Sequence, residues 1–143
     1  YALDGLFVGD MPQTAYVLGT TLTPIKGLRL QGIFKMYDKN YADWSPGARE
    51  YDGDDANADR AQVWQAPGYN RLDLHGSYKL PKIGGYDITL TGHVFNALDA
   101  LYVQDAVDNS PYNGFGDKLH LPHNAEVFLG TPRYANIGLV VNF

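Results

Sequence analysis

Three residues in an acidic segment have the spacing of a calcium-binding loop. Asp55, Asn57 and Asp59 occupy alternate positions, as the first three oxygen ligands of such a loop do. The rest of the pattern is missing, because the sixth position, where the loop needs glycine, is Arg60 and the twelfth, where it needs glutamate, is Ala66. We interpret the segment as a solvent-exposed acidic loop and keep these three residues as secondary metal candidates.

The spacing of the histidines indicates neither a metal centre nor a catalytic site. His120 and His123, with Asp117 nearby, lie in a loop with Pro122 between them, which disfavours the helical spacing of a two-histidine metal site. No serine, histidine and aspartate have a spacing that suggests a nucleophilic triad. We therefore predict that the chain is not an enzyme and has no cofactor.

The other two histidines, His75 and His93, fall on the polar sides of two predicted strands, residues 69–80 and 86–96. Strict alternation of apolar and polar residues is typical of an extended strand with one apolar face. We expect Arg71 or Lys79 to pair with Asp73, or with a residue of another domain, rather than any of these groups to act in catalysis. In a barrel the polar side would face the lumen, and its candidate residues are Arg71, Asp73, His75 and His93.

The order of the predicted elements indicates a membrane barrel. Two hairpins with short turns, residues 14–41 and 69–96, are separated by a long polar segment, residues 42–67, and followed by another, residues 97–132. Short turns on one side and long loops on the other are typical of outer-membrane barrels, and compact soluble domains rarely have such loops. We predict an all-β fold of antiparallel up-and-down strands, about five or six in number, that form part of a transmembrane outer-membrane β-barrel of at least eight.

The chain ends on an amphipathic strand, RYANIGLVVNF. A tilted strand needs about 9 to 11 residues to cross a bilayer, which this segment supplies. A soluble edge strand would have the same alternation, so the closing strand alone does not decide between the two. Its apolar positions are Ala135, Ile137, Leu139, Val141 and Phe143.

The composition restricts the class of protein further. An aromatic content of 13% with 11 tyrosines favours strands whose ends lie at a boundary with water, because tyrosine has an apolar ring and a polar hydroxyl. The lack of any apolar run of about 18 residues excludes a transmembrane helix. The net charge of -5 and the scattered lysines and arginines argue against nucleic acid as a partner. The absence of cysteine removes disulfides and thiolate metal sites.

Four short motifs, in this order, resemble the closing segment of the TonB-dependent outer-membrane receptors, especially the large receptors of Bacteroidetes-type bacteria. A Gly-Tyr pair opens an amphipathic strand at residues 68–69, and an Asn-x-Leu-Asp-x-x-Tyr stretch spans residues 96–102. A Gly-x-Pro-Arg element occupies residues 130–133, and the chain ends on Phe143. The resemblance extends over nearly the whole chain.

This resemblance implies that residues 1–143 are the C-terminal portion of a barrel of about 22 strands, without the plug domain. The parent would take up nutrients such as iron chelates or oligosaccharides across the bacterial outer membrane. Its implied partners are the rest of the barrel and the plug, TonB acting through that plug, outer-membrane lipid and a surface substrate-binding lipoprotein. Because the chain starts at Tyr1 without an initiator methionine or signal segment, we expect it to be a fragment.

The resemblance also suggests that the aromatic-ended strand is the signal read by the β-barrel assembly machinery, with Phe143 as its main determinant. A free strand edge recruits partners through backbone hydrogen bonds, while alternate side chains give specificity. A position in the lipid-facing aromatic girdle would equally explain Phe143.

Aromatic residues in or beside the long segments are candidates for contact with a ligand. Rings such as Trp44, Trp64 and Tyr112 can stack on sugars or seal against a capping lipoprotein, because they give a large contact area at small entropic cost. Packing within the loops or in an interfacial girdle explains them equally well.

A second interpretation belongs to a different class, a secreted soluble β-sandwich that binds carbohydrate through its loop aromatics. Such a module buries apolar faces between two sheets and stays in solution without detergent. Solubility therefore distinguishes it from a membrane barrel.

Overall fold

The computed structural model describes residues 1–112 and 119–142. Within them the chain is all-β, with antiparallel sheets and four single-turn 3-10 helices but no α-helix. No helix in this part of the chain is long and apolar enough to span a membrane. The strands are β1 (Pro12–Leu22), β2 (Leu28–Tyr41), β3 (Gln65–Ala66), β4 (Tyr69–Lys79), β5 (Asp87–Phe95), β6 (Val103–Asp108), β7 (Ala125–Leu129) and β8 (Tyr134–Asn142). The 3-10 helices are Pro46–Arg49, Asp55–Asn57, Ser110–Tyr112 and Pro122–Asn124.

Five long strands form the main sheet in the order β1-β2-β4-β5-β8, with the short β3 paired to β2. The β4–β5 and β5–β8 pairs are antiparallel, and β6 and β7 form a separate antiparallel pair. Among the described strands, β1 and β8 each have one neighbour in the main sheet, so this sheet is open at both edges. The predicted all-β class is confirmed, whereas the described strands form no closed barrel.

The register across β4, β5 and β8 separates apolar from polar residues. Opposed residues form rows across the three strands, and neighbouring rows alternate between the two faces of the sheet. The rows of one face are Leu74–Val94–Ala135, Gly76–Gly92–Ile137 and Tyr78–Leu90–Leu139, and the row His75–His93–Asn136 lies on the other. The alternation predicted for these strands is therefore confirmed.

The chain divides into two compact units. Unit 1 comprises residues 1–14, 37–68 and 102–130, and unit 2 comprises residues 15–36, 69–101 and 131–143. Every fully buried apolar residue of the described chain belongs to unit 1: Ala2, Ala42, Val63, Ala66, Tyr102 and Ala106. In the described part of unit 2 only Asp73 and Asn96 are fully buried, and both are polar.

The prediction that residues 42–67 and 97–132 are loops is correct for most of residues 42–67 and wrong for residues 97–132, which contain two strands. The two segments contain β3, β6 and β7 and the four 3-10 helices, and they supply most of the apolar core of unit 1. The register of β6 against β7 shifts between Val103 and Asp105, which breaks the period-two pattern by which a strand is recognised from sequence. The partner strand also lies far along the chain, so no hairpin turn marks the pair.

Candidate functional site

Asp73, which is only 2% exposed, lies at the centre of the polar face of unit 2. The Nζ atom of Lys35 lies 2.8 Å from one carboxylate oxygen, and the backbone N–H of Asn96 donates to the other at 3.0 Å. A guanidinium nitrogen of Arg71 lies 3.6 Å away. Two cations and a backbone donor thus satisfy this buried carboxylate, an arrangement that stabilises strand positions rather than one that presents an acid to a substrate.

His75 and His93 are directly opposed on β4 and β5, and their Nδ1 atoms lie 2.9 Å apart. One of these nitrogens must donate and the other accept, so one proton lies between the two rings. Phe95 packs edge-on against His75, with ring centroids 5.4 Å apart, and stacks on Tyr134 at 4.7 Å. The imidazole pair is therefore held on one side by an aromatic cluster.

The Asn-x-Leu-Asp stretch makes a turn that Asn96 closes. Its side-chain amide donates to the carbonyl oxygens of Ala100 and Thr131, and its amide oxygen accepts the N–H of Ala100. Asn96 is 1% exposed and has a φ of 49°, a left-handed conformation that asparagine adopts more readily than most residues. Its side chain links this turn to the segment that leads into β8.

Two further contacts join the same motifs. Within unit 2, the carboxylate of Asp99 accepts the backbone N–H of Arg133 at 3.1 Å and contacts its guanidinium at 3.4 Å. Within unit 1, the ring of Tyr102 lies against Gly130, where a Cβ would overlap the ring. Residues of the Asn-x-Leu-Asp-x-x-Tyr and Gly-x-Pro-Arg motifs thus contact one another, although nothing in their spacing predicts those contacts.

Unit 1 contains a buried polar cluster centred on His120. The Nδ1 atom of His120 lies 2.6 Å from Asp108 and the Nε2 atom lies 2.9 Å from Asp59. Arg49, itself 1% exposed, contacts the second oxygen of Asp59 at 2.9 Å, and the hydroxyl of Ser110 donates to Asp108 at 2.6 Å. Since both ring nitrogens face carboxylate oxygens, the geometry favours a doubly protonated imidazolium that joins three distant segments.

The electrostatics of Asp59 follow from this cluster. Burial raises its pKa, but hydrogen bonds from His120 and from the backbone N–H of Ala61, with the charge of Arg49, outweigh burial and leave the pKa below the ordinary aspartate value. Asp59 is therefore a charged structural group. Sequence reasoning singled out Asp59 and His120 separately but missed their contact, since 61 positions separate them.

The three calcium candidates point to different partners. Asp55 pairs with Arg60 at 3.1 Å, Asn57 donates to Asp52, and Asp59 belongs to the His120 cluster. In residues 1–112 and 119–142, no group of three or more histidine, aspartate or glutamate side chains is placed to hold a metal ion. Of the other metal candidates, His123 is exposed, and Asp117 lies outside the described residues.

The aromatic candidates fall into two kinds of environment. Trp44 and Trp64 are half-buried against the core of unit 1, and the indole N–H of Trp44 donates to the carbonyl oxygen of Phe7 at 2.9 Å. Tyr112 is 80% exposed. The two tryptophans thus have a packing role, and of the three residues Tyr112 presents the most surface to a ligand.

The closing strand β8 is exposed along its predicted apolar side. Ala135, Ile137, Leu139 and Val141 alternate along it, and Ile137 is 88% exposed. The proposed main determinant of assembly, Phe143, lies outside the described residues. The apolar side of β8 therefore faces away from the protein.

Ser110 is 3% exposed and donates to Asp108, so its hydroxyl is not presented as a nucleophile. The buried carboxylates of Asp73 and Asp108 are both satisfied by partners within the protein. No family model, curated protein or solved structure matches the chain.

Proposed function

We propose that the chain is the C-terminal wall of a TonB-dependent outer-membrane transporter for the active uptake of a nutrient such as an iron chelate or an oligosaccharide. The observation that carries this proposal is the complete lack of a buried apolar residue in the described part of unit 2. A sheet of this size in water requires an apolar core, because burial of apolar surface is the main favourable term in folding. An external apolar medium is therefore needed.

The exposed apolar side chains are concentrated on one face. Leu18 on β1 is 72% exposed, and Ile137 and Leu139 on β8 are 88% and 61% exposed. The opposite face carries charged and polar groups, including Lys35 and Asp73. An apolar face backed by a polar one is the pattern of a barrel wall, with lipid outside and a wet lumen inside.

The open edges support the same proposal. β1 and β8 each have one neighbour among the described strands, so their outer edges present unpaired backbone groups. In hydrocarbon each unpaired group costs several kcal/mol, which only further strands can offset. In this proposal the remaining strands of the parent barrel pair with these edges, and the β-barrel assembly machinery engages β8 during insertion.

The other partners follow from the proposed parent. TonB would act through the plug of that parent, and a surface substrate-binding lipoprotein would cover the loops. The exposed ring of Tyr112 is suited to stacking on a sugar. We assign no catalytic step to the chain.

Spin labels on adjacent positions of β8 test the proposal. The chain has no cysteine, so Leu139→Cys and Val140→Cys each create a single labelling site, one on each face. In the parent barrel, freed of any other cysteine and reconstituted in lipid vesicles, we expect the label at 139 to be relaxed mainly by oxygen and the label at 140 mainly by a water-soluble chromium oxalate complex. The two variants are matched controls, because they differ by one position in the same strand.

A detergent-free monomer in which both labels contact the water-soluble complex would contradict the proposal. That result would favour the secreted carbohydrate-binding sandwich, which keeps its apolar faces away from lipid. The mass of the polypeptide that carries this sequence in isolated outer membranes gives a second test, for which we expect several times 15.8 kDa.

A further inference from the structure

We propose that His75 and His93 form a binding site for a divalent transition-metal ion that prefers tetragonal coordination, Cu(II) above all. The site lies on the polar face of unit 2, where the two residues are opposed across β4 and β5. The inference does not depend on the proposed transport function, because it uses only the local geometry of the two strands.

The separation of the two nitrogens selects the coordination geometry. Metal-to-imidazole bonds are about 2.0–2.1 Å long. Two nitrogens 2.9 Å apart that both bind one ion at this distance subtend an angle of about 90° at the ion. A right angle between neighbouring ligands is that of square-planar or tetragonal Cu(II) and Ni(II), whereas tetrahedral zinc would require the nitrogens to move apart.

The surroundings limit the freedom of the two rings. The antiparallel register fixes the backbones of His75 and His93 opposite each other, and Phe95 packs against both rings, with centroid distances of 5.4 Å and 6.1 Å. Tyr134 stacks behind Phe95 at 4.7 Å. The two rings face each other nearly head-on, with centroids 5.1 Å apart, so each ring must rotate before both Nδ1 lone pairs converge on one ion. The fixed backbones and the Phe95 contact lower the entropic cost of that arrangement.

A shallow cavity of about 150 Å³ at the pair offers room for the ion and its other ligands. Gln31, Ser77 and Thr91 line it, and each side chain contains an oxygen atom, a donor type that suits the remaining positions of Cu(II) together with water. Arg29 lines the same cavity, and its positive charge opposes a dication. Arg29 therefore provides a variant that should increase affinity.

Binding moves the proton that lies between the two rings. In the metal-free pair one Nδ1 carries the shared proton. When both Nδ1 atoms bind the ion, that proton moves to the Nε2 atom of the same ring or to solvent. Each ring then binds as a neutral imidazole, as a metal ligand must.

Copper titration of the 143-residue chain, made without a histidine tag and kept in detergent micelles, tests the proposal. We expect one Cu(II) ion per chain, with an axial electron paramagnetic resonance spectrum split by two imidazole nitrogens. His75→Ala and His93→Ala should each weaken binding by about tenfold or more, since even outer-layer changes at metal sites cost that much. The matched control is His123→Ala, which removes an exposed histidine of unit 1 and should leave the affinity unchanged.

Arg29→Gln should strengthen binding, because it removes the opposing charge and keeps a side chain of similar length. Far-UV circular dichroism checks that each variant retains its sheet, and His75→Gln and His93→Gln replace any alanine variant that does not. A spectrum with one nitrogen, or wild-type affinity in a folded variant of either histidine, would overturn the proposal.

Discussion

The two units of this chain differ in the kind of residue that they bury. Unit 1 contains all the fully buried apolar residues of the described chain and a buried polar cluster around His120. Unit 2 buries only Asp73 and Asn96 completely, and its apolar side chains remain partly or largely exposed. Unit 1 therefore contains its own apolar core and pairs the buried carboxylates of its His120 cluster internally, whereas the apolar side chains of unit 2 stay exposed to its surroundings.

Charge separates the units as well. Unit 1 contains thirteen Asp and Glu residues against four Lys and Arg, whereas unit 2 contains three against seven. The excess of acidic residues in unit 1 is consistent with the long polar segments that this unit contains. The net charge of -5 therefore describes neither unit. The charge that a binding partner meets has to be considered for each unit separately.

The largest expected effect is on the internal cluster of unit 1. His120→Ala leaves the buried carboxylate of Asp108 without its cationic partner, which costs about 3–5 kcal/mol of unfolding free energy. Urea unfolding followed by tryptophan fluorescence measures it, because both tryptophans of the chain lie in unit 1. The control, His123→Ala, changes an exposed residue and should stay within about 0.5 kcal/mol. Equal losses of unfolding free energy in His120→Ala and His123→Ala would show that the His120 cluster does not stabilise unit 1.

A smaller effect is expected for the turn of unit 2. Asn96→Ala removes the side chain that bonds to Ala100 and Thr131, which costs about 1–3 kcal/mol for a buried group left unsatisfied. Far-UV circular dichroism during urea unfolding in detergent reports on the sheet. The matched control is Asn136→Ala, an exposed asparagine on β8. An equal loss of unfolding free energy in Asn136→Ala would show that the hydrogen bonds of Asn96 do not stabilise the turn.

The smallest effect is the pH dependence that Asp59 gives to the stability of unit 1. The pKa of Asp59 is lowered in the folded chain, so its contribution to stability is present above the ordinary aspartate pKa of about 4 and is lost as the pH falls through the lower folded value. We expect the unfolding free energy measured by tryptophan fluorescence to decrease below about pH 4, and Asp59→Asn to flatten that decrease. An unchanged slope in this variant would assign the acid sensitivity to another group.

The sequence predicts the sheet of unit 2 better than it predicts unit 1. Alternation in residues 69–80 and 86–96 locates β4 and β5 to within a residue or two, because one apolar face imposes a period of two. The fold of unit 1 depends on contacts between distant residues, such as those of His120 with Asp59 and Asp108, and such contacts leave no periodic signal. The candidate metal pair is intermediate: sequence places both histidines on polar faces, but only the register opposes them.

The contact between Tyr102 and Gly130 has a consequence for how related sequences can diverge. Since a Cβ at position 130 would overlap the phenol ring, the two positions are not free to vary independently. A side chain at 130 becomes compatible with the fold when position 102 carries a smaller residue that vacates the space. We therefore expect a residue with a side chain at position 130 only in sequences that also have a smaller residue at position 102. In a lineage that loses the glycine, the tyrosine should have been replaced first.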